Sequence, residues 1–254
     1  MTDEVLTDRE GAIMVITLNR PQARNAVNGA LARALAAAVD ELDSDPALSV
    51  GIITGAGGTF CSGMDLKGFL TGDIPTVEGR GFAGITMAQP EKPVIAAVEG
   101  YALAGGCEIA LACDLLTASR EARFGLPETK RALVAGAGGL FRLPQRIPRT
   151  IAMEYALTGE FFSAEDAHRW GLVNRLTDPG EALTAALELG RRITEAGPLA
   201  VRATKKIVRD NADWPAEERW ARQEELMRPV MTSADAREGA AAFAEKRSPV
   251  WTGK

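Results

Sequence analysis

Apolar and polar positions along the chain follow two periods, and the change from one to the other divides it. Residues 12–18, AIMVITL, make an apolar run of strand length. Asn19-Arg20-Pro21 ends it, because proline cannot donate to a ladder and restrains the residue before it. Asn28 stands as N-cap to an alanine-rich helix at 29–42, with Leu31, Leu35, Val39 and Leu42 on one face. Asp45-Pro46 breaks that helix, and a buried-type strand follows at 50–54. Residues 55–69, GAGGTFCSGMDLKGF, carry glycines at 55, 57, 58 and 63 and form a loop able to turn backbone N–H groups toward a ligand. It is not a phosphate loop, since GxxxxGK[ST] is absent and no GxGxxG opens a helix. Residues 71–90 hold Gly72, Pro75, Gly79, Gly81 and Gly84 in a short space, which predicts a mobile excursion with at most one short helix.

The middle of the chain repeats the alternation. An apolar strand at 94–98 meets Gly100, and the small-residue turn Ala104-Gly105-Gly106 opens a helix-like run at 107–112. Another strand reads at 115–118, and Gly136-Ala137-Gly138-Gly139 leads into a basic segment with Arg142, Arg146 and Arg149. Helices follow at 150–158 and 164–170, the second capped by Ser163, then a short strand at 172–176. From 181 onward the pattern is helical only, broken at Pro198, Pro215, Pro229 and Ser233. Strands alternating with helices and then helices alone imply an α/β body with a parallel sheet and an all-α C-terminal part.

Composition narrows the classes. At 254 residues the chain suits one large domain or two small ones, and 46% hydrophobic with 25% charged residues is ordinary for a globular protein. A net charge of −5 argues against general nucleic-acid binding, so an acidic ligand would need local cations or backbone donors. Cys61, Cys107 and Cys113 are odd in number, match no zinc or disulfide spacing and lie among apolar or small residues. They read as buried free thiols, which fits a reducing, cytoplasmic compartment. The N-terminus lacks the order of a signal peptide, and no apolar run approaches the roughly 18 residues that span a membrane.

The chemistry begins with one residue. Glu108 sits in an otherwise apolar helix, and its helical neighbours Ala104, Gly105, Leu111 and Ala112 offer nothing to pair a charge. A carboxyl so placed has its charged form disfavoured, which moves its pKa toward the range useful for proton transfer. Glu128, after Pro127 in a loop, reads as solvated when taken alone; its weight comes from pairing, since two carboxylates in unlike environments are a recurring acid–base device. Gly105 and Met64 are candidates through their backbone N–H groups, one at a helix N-terminus and one in the glycine loop. Gly105-Gly106 equally lets the helix pack tightly. Asp65 reads as a cap for the next turn and Asp114 as the start of the next strand. His168 is the only histidine, so a histidine metal cluster is excluded and a serine triad would have to use it.

These residues resemble a known family. IAAVEGYALAGGCEIALACDLL (95–116) is similar to the central motif of the enoyl-CoA hydratase/isomerase, or crotonase, superfamily. LNRPQARNAVN (18–28), GGTFCSGMDLK (57–67), ARFGLPE (122–128) and AGAGGLFRL (135–143) agree in order and spacing, as do 157–174 and 238–251, so the resemblance covers essentially the whole chain. It implies an α/β, crotonase-like spiral of ββα units over 1–196 that carries the CoA and active site, and a helical oligomerisation region at 197–254 that builds a homotrimer or a dimer of trimers.

The resemblance also implies an acyl-CoA thioester substrate and an oxyanion hole from the backbone N–H groups of Met64 and Gly105. The CoA-contacting strip would include Ala23, Arg24 and Ala26, then Asp65, Leu66 and Lys67, with Gly106 beside the oxyanion donor. Arg24 and Lys67 would answer the phosphates. Glu108 and Glu128 would flank the catalytic water and carry out syn hydration of a trans-2-enoyl-CoA to a 3-hydroxyacyl-CoA. No metal or redox cofactor is needed. Lys246 and Phe243 in the last helix would reach a neighbouring subunit's CoA site. Ala135 stands where many hydratases place proline, so chain-length preference does not carry over. Alternatives at this point are an enoyl-CoA isomerase, which typically works with one carboxylate, a dehydratase of an unusual hydroxyacyl-CoA, and a non-catalytic acyl-CoA-binding paralogue.

Overall fold

In the computed structural model of the chain, which describes residues 3–254, the first element is a strand that the apolar pattern does not reveal. β1 (Val5–Glu10) runs antiparallel to β2 (Ile13–Leu18) across Gly11. Its sequence VLTDRE is mostly exposed because β1 is a sheet edge, where charges are tolerated and discourage pairing with another chain. Asn28 caps α1 (Gly29–Ser44), its side-chain oxygen accepting the Leu31 N–H at 2.8 Å, and the four expected apolar positions are all buried. β3 (Val50–Gly55) follows, then the glycine loop and α2 (Leu66–Leu70).

Residues 71–90 contain no helix; they form a two-stranded ribbon, β4 (Thr76–Val77) with β5 (Gly81–Phe82). The segment is tied to α1. The Asp73 carboxylate accepts the Gly29 N–H at 3.1 and 3.2 Å, and Arg80 pairs with Asp40. Glycine density marks tight turns here, with Gly72, Gly79, Gly81 and Gly84 all at positive φ.

The central motif gives β6 (Val94–Val98), buried at every residue, β7 (Tyr101–Leu103), α3 (Gly105–Ala112), β8 (Leu115–Ser119) and β9 (Arg123–Gly125). After a 3-10 turn at Pro127–Arg131 come α4 (Gly139–Arg146), α5 (Arg149–Thr158), β10 (Phe162–Ser163), α6 (Ala164–Arg169), β11 (Arg175–Thr177) and α7 (Ala182–Thr194). The main sheet has the order β1-β2-β3-β6-β8-β11 and is parallel from β2 onward. Parallel strands are covered on both faces, which is why β3 and β6 read as continuous apolar runs. One face packs Ile13, Ile52 and Ile95 under Leu183, Leu187 and Ile193 of α7. The other joins Met14, Ile16 and Ala96 to Leu35 of α1 and Ile109 of α3 in the larger core. A second sheet, β10-β9-β7, lines up the chain that leads into and out of α3.

The strand expected at 172–176 begins instead at Arg175. Leu172 and Val173 are buried in a turn closed by the Leu172 N–H onto Ala167 O at 2.8 Å, so their apolarity serves the core and not a ladder. His168 Nδ1 lies 2.7 Å from Val173 O and steadies that turn as a structural post. Asp114 accepts the Val94 N–H at 2.7 Å and pairs with Lys205 at 2.7 Å, so it fastens the C-terminal helices to the sheet.

Those helices are α8 (Pro198–Asp210), α9 (Arg219–Met231) and α10 (Ala234–Glu245). Neither α8 nor α9 buries a whole residue, and Trp220, Met231 and Phe243 stand exposed. The chain end folds back along α10, where Asp235 accepts the N–H groups of Thr252 and Gly253 at 2.7 and 2.9 Å. Among the described residues no helix is long and apolar enough to cross a membrane.

Candidate active site

Two backbone segments meet where α3 begins. Strand-like hydrogen bonds zip the glycine loop to β7: the Cys61 N–H donates to Tyr101 O at 2.8 Å and the Leu103 N–H to Cys61 O at 3.0 Å. On the other side the Val27 N–H donates to Gly63 O at 2.8 Å and the Asp65 N–H to Val27 O at 2.9 Å. The bonds fall on either side of Met64 and leave its own N–H with no partner among the described residues. Ala104 closes the approach with φ +51° and ψ −127°, a backbone region that a residue with a side chain rarely adopts. Its N–H donates to Gly125 O at 2.9 Å and its carbonyl accepts the Glu108 N–H at 3.1 Å. The next N–H, that of Gly105, is the first of the helix and likewise has no partner.

Only glycine permits this meeting. A β-carbon at Gly63 would lie 3.2 Å from the Gly105 nitrogen, and one at Gly106 would lie 2.1 Å from Cys61 O. The two free N–H groups therefore stand on adjoining segments, and Met64 and Gly105 both line one cavity of about 1100 Å³.

Glu108 and Glu128 line the same cavity. Glu108 is 3% exposed, one turn into α3. Its partners come from 29 and 31 residues away: Oε1 accepts the Ala137 N–H at 2.7 Å and the Gly139 N–H at 2.9 Å. Burial pushes its carboxyl above the ordinary carboxylate range, against those two amides and the Arg142 charge, which pull it down. Glu128 differs. Its Oε2 is buried with no hydrogen-bond partner, and burial, with the Glu108 charge, pushes its carboxyl up against its own backbone N–H and the Arg131 charge, which pull it down. One carboxylate is held by two donors from another element, and the other keeps a buried oxygen without one. That asymmetry separates the group best suited to carry charge from the one best suited to hold a proton.

The expected contact strip divides. Arg24 and Leu66 line the cavity with Met64 and Gly105. Ala23, Ala26, Asp65, Lys67 and Gly106 do not. Asp65 caps α2 through the Lys67 and Gly68 N–H groups at 3.1 and 3.4 Å and pairs with Arg20 at 3.0 Å, so the capping role expected of it is the one found. Lys67 is exposed on α2, and Gly106 works through close packing. Cys61, Cys107 and Cys113 are buried free thiols, each pushed up to about 12 by burial, and so are poor nucleophiles.

Several contributors were not legible in the sequence. Arg142, read there as part of a basic segment, turns inward: its guanidinium donates to Ala137 O at 3.1 Å and to Thr86 O, tying the loop under Glu108 to the 71–90 segment. Asn25 is fully buried and accepts the Arg20 N–H at 2.9 Å while donating to Ala56 O at 2.9 Å and Thr59 O at 2.6 Å. It anchors the glycine loop to the segment before α1. Its only sequence signal is its place inside LNRPQARNAVN.

Comparison with known proteins agrees with this geometry. The family model described as "Enoyl-CoA hydratase/isomerase" matches residues 8–254. The chain is 43% identical over 262 residues to the carnitinyl-CoA dehydratase of Salmonella enteritidis PT4, covering all of both. It superposes on an enoyl-CoA hydratase from Mycobacterium tuberculosis H37Rv with a TM-score of 0.98 at 57% identity, over 99% of this chain and 100% of that one. A carnitinyl-CoA hydratase from Mycobacterium avium gives a TM-score of 0.81 at 44% identity, over 100% of both. With matches of this length and identity, over a fold that brings Glu108, Glu128 and two free N–H groups to one cavity, the chain belongs to the enoyl-CoA hydratase/isomerase, or crotonase, family.

Proposed function

We propose that the protein is a hydro-lyase that adds water across the double bond of a trans-2-enoyl-CoA, giving the 3-hydroxyacyl-CoA. The observation that carries this is the pair of unlike carboxylates facing two free N–H groups in one cavity. Glu108, held by two amides, takes a proton from water as the hydroxyl bonds to Cβ. The displaced electron pair moves through Cα to the thioester oxygen, where the Met64 and Gly105 N–H groups receive the developing charge. The enolate returns its electrons to Cα, which takes the proton that Glu128 holds. Proton exchange from Glu108 back to Glu128 resets the site. No metal or redox cofactor enters these steps.

Arg24 at the cavity and Lys67 beside it would meet the CoA phosphates, which a chain of net charge −5 must answer locally. Ala23, Ala26, Asp65 and Gly106 would support that strip through backbone position and not side-chain contact. The exposed apolar residues of α9 and α10, Trp220, Met231 and Phe243, support burial against further copies of the chain as a homotrimer or paired trimers, with residues 197–254 as the oligomerisation region. In that assembly Phe243 and Lys246 would reach a neighbouring CoA site. Three buried free thiols suit a cytoplasmic setting.

A second reading runs the reaction backward: the curated relatives at 43% identity are named carnitinyl-CoA dehydratases, and elimination uses the same groups. Crotonyl-CoA, followed as loss of enoyl absorbance, separates the possibilities. Hydration supports the proposal. Binding without hydration would leave an isomerase or a non-catalytic thioester binder, and turnover confined to carnitinyl-CoA would favour the second reading.

Arg142→Met tests how Glu108 is tuned. Arg142 lowers the Glu108 pKa, and water activation needs Glu108 ionised. The acid limb of the kcat/KM profile should therefore move to higher pH in the variant. A uniform loss with the limb unmoved would assign Arg142 a packing role only.

A further inference from the structure

We infer that Arg20 tunes the oxyanion hole from outside it: its guanidinium polarises the Met64 N–H through two intervening peptide groups and fixes where that N–H points. This rests on the thioester chemistry proposed above. Arg20 does not line the catalytic cavity, so it acts as a positioning residue.

A trans peptide accepts at its carbonyl and donates at its N–H, on opposite sides of one planar unit. Two such units stand in series here. Arg20 Nη1 donates to Ala26 O. The N–H of that same Ala26–Val27 peptide donates to Gly63 O at 2.8 Å. The N–H of the Gly63–Met64 peptide is the Met64 donor, which has no partner among the described residues. A cation therefore stands at one end of the chain and a free donor at the other. Hydrogen bonds in series polarise one another, and one that begins at an ion is of the stronger kind. Electron density drawn toward Gly63 O leaves the Met64 N–H more positive, which favours charge developing on the thioester oxygen.

The surroundings hold the guanidinium to this task. The Arg20 side chain is 14% exposed, so water competes little for it. Nε lies 2.8 Å from Glu4 Oε2, and Nη2 donates to Asp65 Oδ2 at 3.0 Å. Those carboxylates offset the cost of burying the cation and leave Nη1 for the carbonyl. Asp65 directly follows Met64, so one guanidinium grips the segment beside the donor and the segment behind it. The Ser62 N–H to Arg24 O at 3.0 Å and the Asp65 N–H to Val27 O at 2.9 Å complete the ladder between them. The Gly105 donor is backed differently. The carbonyl of its peptide, Ala104 O, accepts the Glu108 N–H at 3.1 Å within α3. One donor is thus backed by a helix and the other by an ion.

The test reads the donor itself. A cinnamoyl-CoA thioester absorbs through its conjugated carbonyl, and hydrogen bonds that polarise that carbonyl shift the band to longer wavelength. Bound to the wild-type enzyme it should show this red shift, and bound to Arg20→Met a clearly smaller one. The kcat for crotonyl-CoA should fall about ten-fold in Arg20→Met, a fraction of the roughly 10²–10³-fold for a donor lost outright, with KM little changed. Arg20→Lys keeps a cation that can reach one acceptor and not two, so it should lie between in both readouts. If Arg20→Met does not fold, the lysine variant decides alone: a reduced shift supports the inference and a full one overturns it. Glu4→Gln removes one ion pair and leaves the bond to Ala26 O, so it should lower the urea midpoint and keep both shift and kcat.

A full red shift with wild-type kcat in both Arg20 variants would overturn the inference. Equal losses in Glu4→Gln would also overturn it, by assigning the effect to the stability of the ion cluster. Wild-type enzyme that binds cinnamoyl-CoA with no shift would remove the oxyanion donors, and the inference with them. A shift that shrinks with Arg20→Met, in a protein that never hydrates crotonyl-CoA, would support the inference and remove the hydration reading alone.

Discussion

Glu128→Gln should lower kcat for crotonyl-CoA hydration by about 10²–10⁴-fold, the range for losing a positioned proton donor, with KM little changed. Gln keeps the shape of the side chain and presents an amide where Oε2 now lies buried without a partner, so binding survives while Cα loses its proton source. Wild-type turnover in this variant would sink the two-carboxylate mechanism. The same substitution carries a stability signature of definite sign. Burial, then the Glu108 charge, raises the folded-state pKa of Glu128 above its unfolded value. Below the ordinary glutamate range, about pH 4, both states hold the proton and the group costs nothing. As pH rises, the unfolded chain ionises first, and stability falls until the folded-state pKa is passed. The glutamine variant lacks this loss. It should unfold at a higher urea midpoint than wild type at neutral pH, with the gap closing below about pH 4. An inactive variant that is more stable only at neutral pH ties the activity to a carboxyl kept in an unfavourable place.

What the sequence reveals of this site follows from what side chains can announce. Glu108 stands out because a charge among Ile109, Ala110 and Leu111 is improbable without use. Its partners stay hidden, because the donors are the backbone N–H groups of Ala137 and Gly139, and every non-proline residue has one. Helical-wheel reasoning looks three and four positions away, whereas these amides come from another element. Glu128 is conspicuous only through its place among ordered motifs, since Pro-Glu in a loop is common on surfaces. Charge misleads elsewhere too. β1 is missed because its polar residues suit an edge, and Arg142 looks like surface basicity although its guanidinium is spent on two carbonyls inside. The α/β body and the helical end are legible because they rest on apolar periodicity over many residues.

Gly106→Ala should lower kcat and kcat/KM together by about 10²–10³-fold, although Gly106 does not line the catalytic cavity. Its β-carbon would fall 2.1 Å from Cys61 O and 2.7 Å from Cys61 C. Both are backbone atoms, and that carbonyl is already held by the Leu103 N–H at 3.0 Å, so no side chain can swing aside. The N-terminus of α3 and the glycine loop must move apart. Met64 lies on one side of that contact and Gly105 on the other, so the same movement widens the gap between the two donors. Charge on a thioester oxygen then meets one N–H instead of two, a loss of about 3–4 kcal/mol confined to the transition state. Overpacking adds about 1–3 kcal/mol of instability, and a urea midpoint measures that part separately. Gly72→Ala provides the contrast: its φ of +86° makes alanine strained, yet nothing lies within 4 Å of the new carbon. That variant should lose stability and keep its kcat. Equal kcat losses in the two would mean that fold stability, and not the contact between Cys61 and Gly106, governs the rate; a loss in Gly106→Ala alone makes the spacing of two peptide N–H groups the quantity this helix start exists to hold.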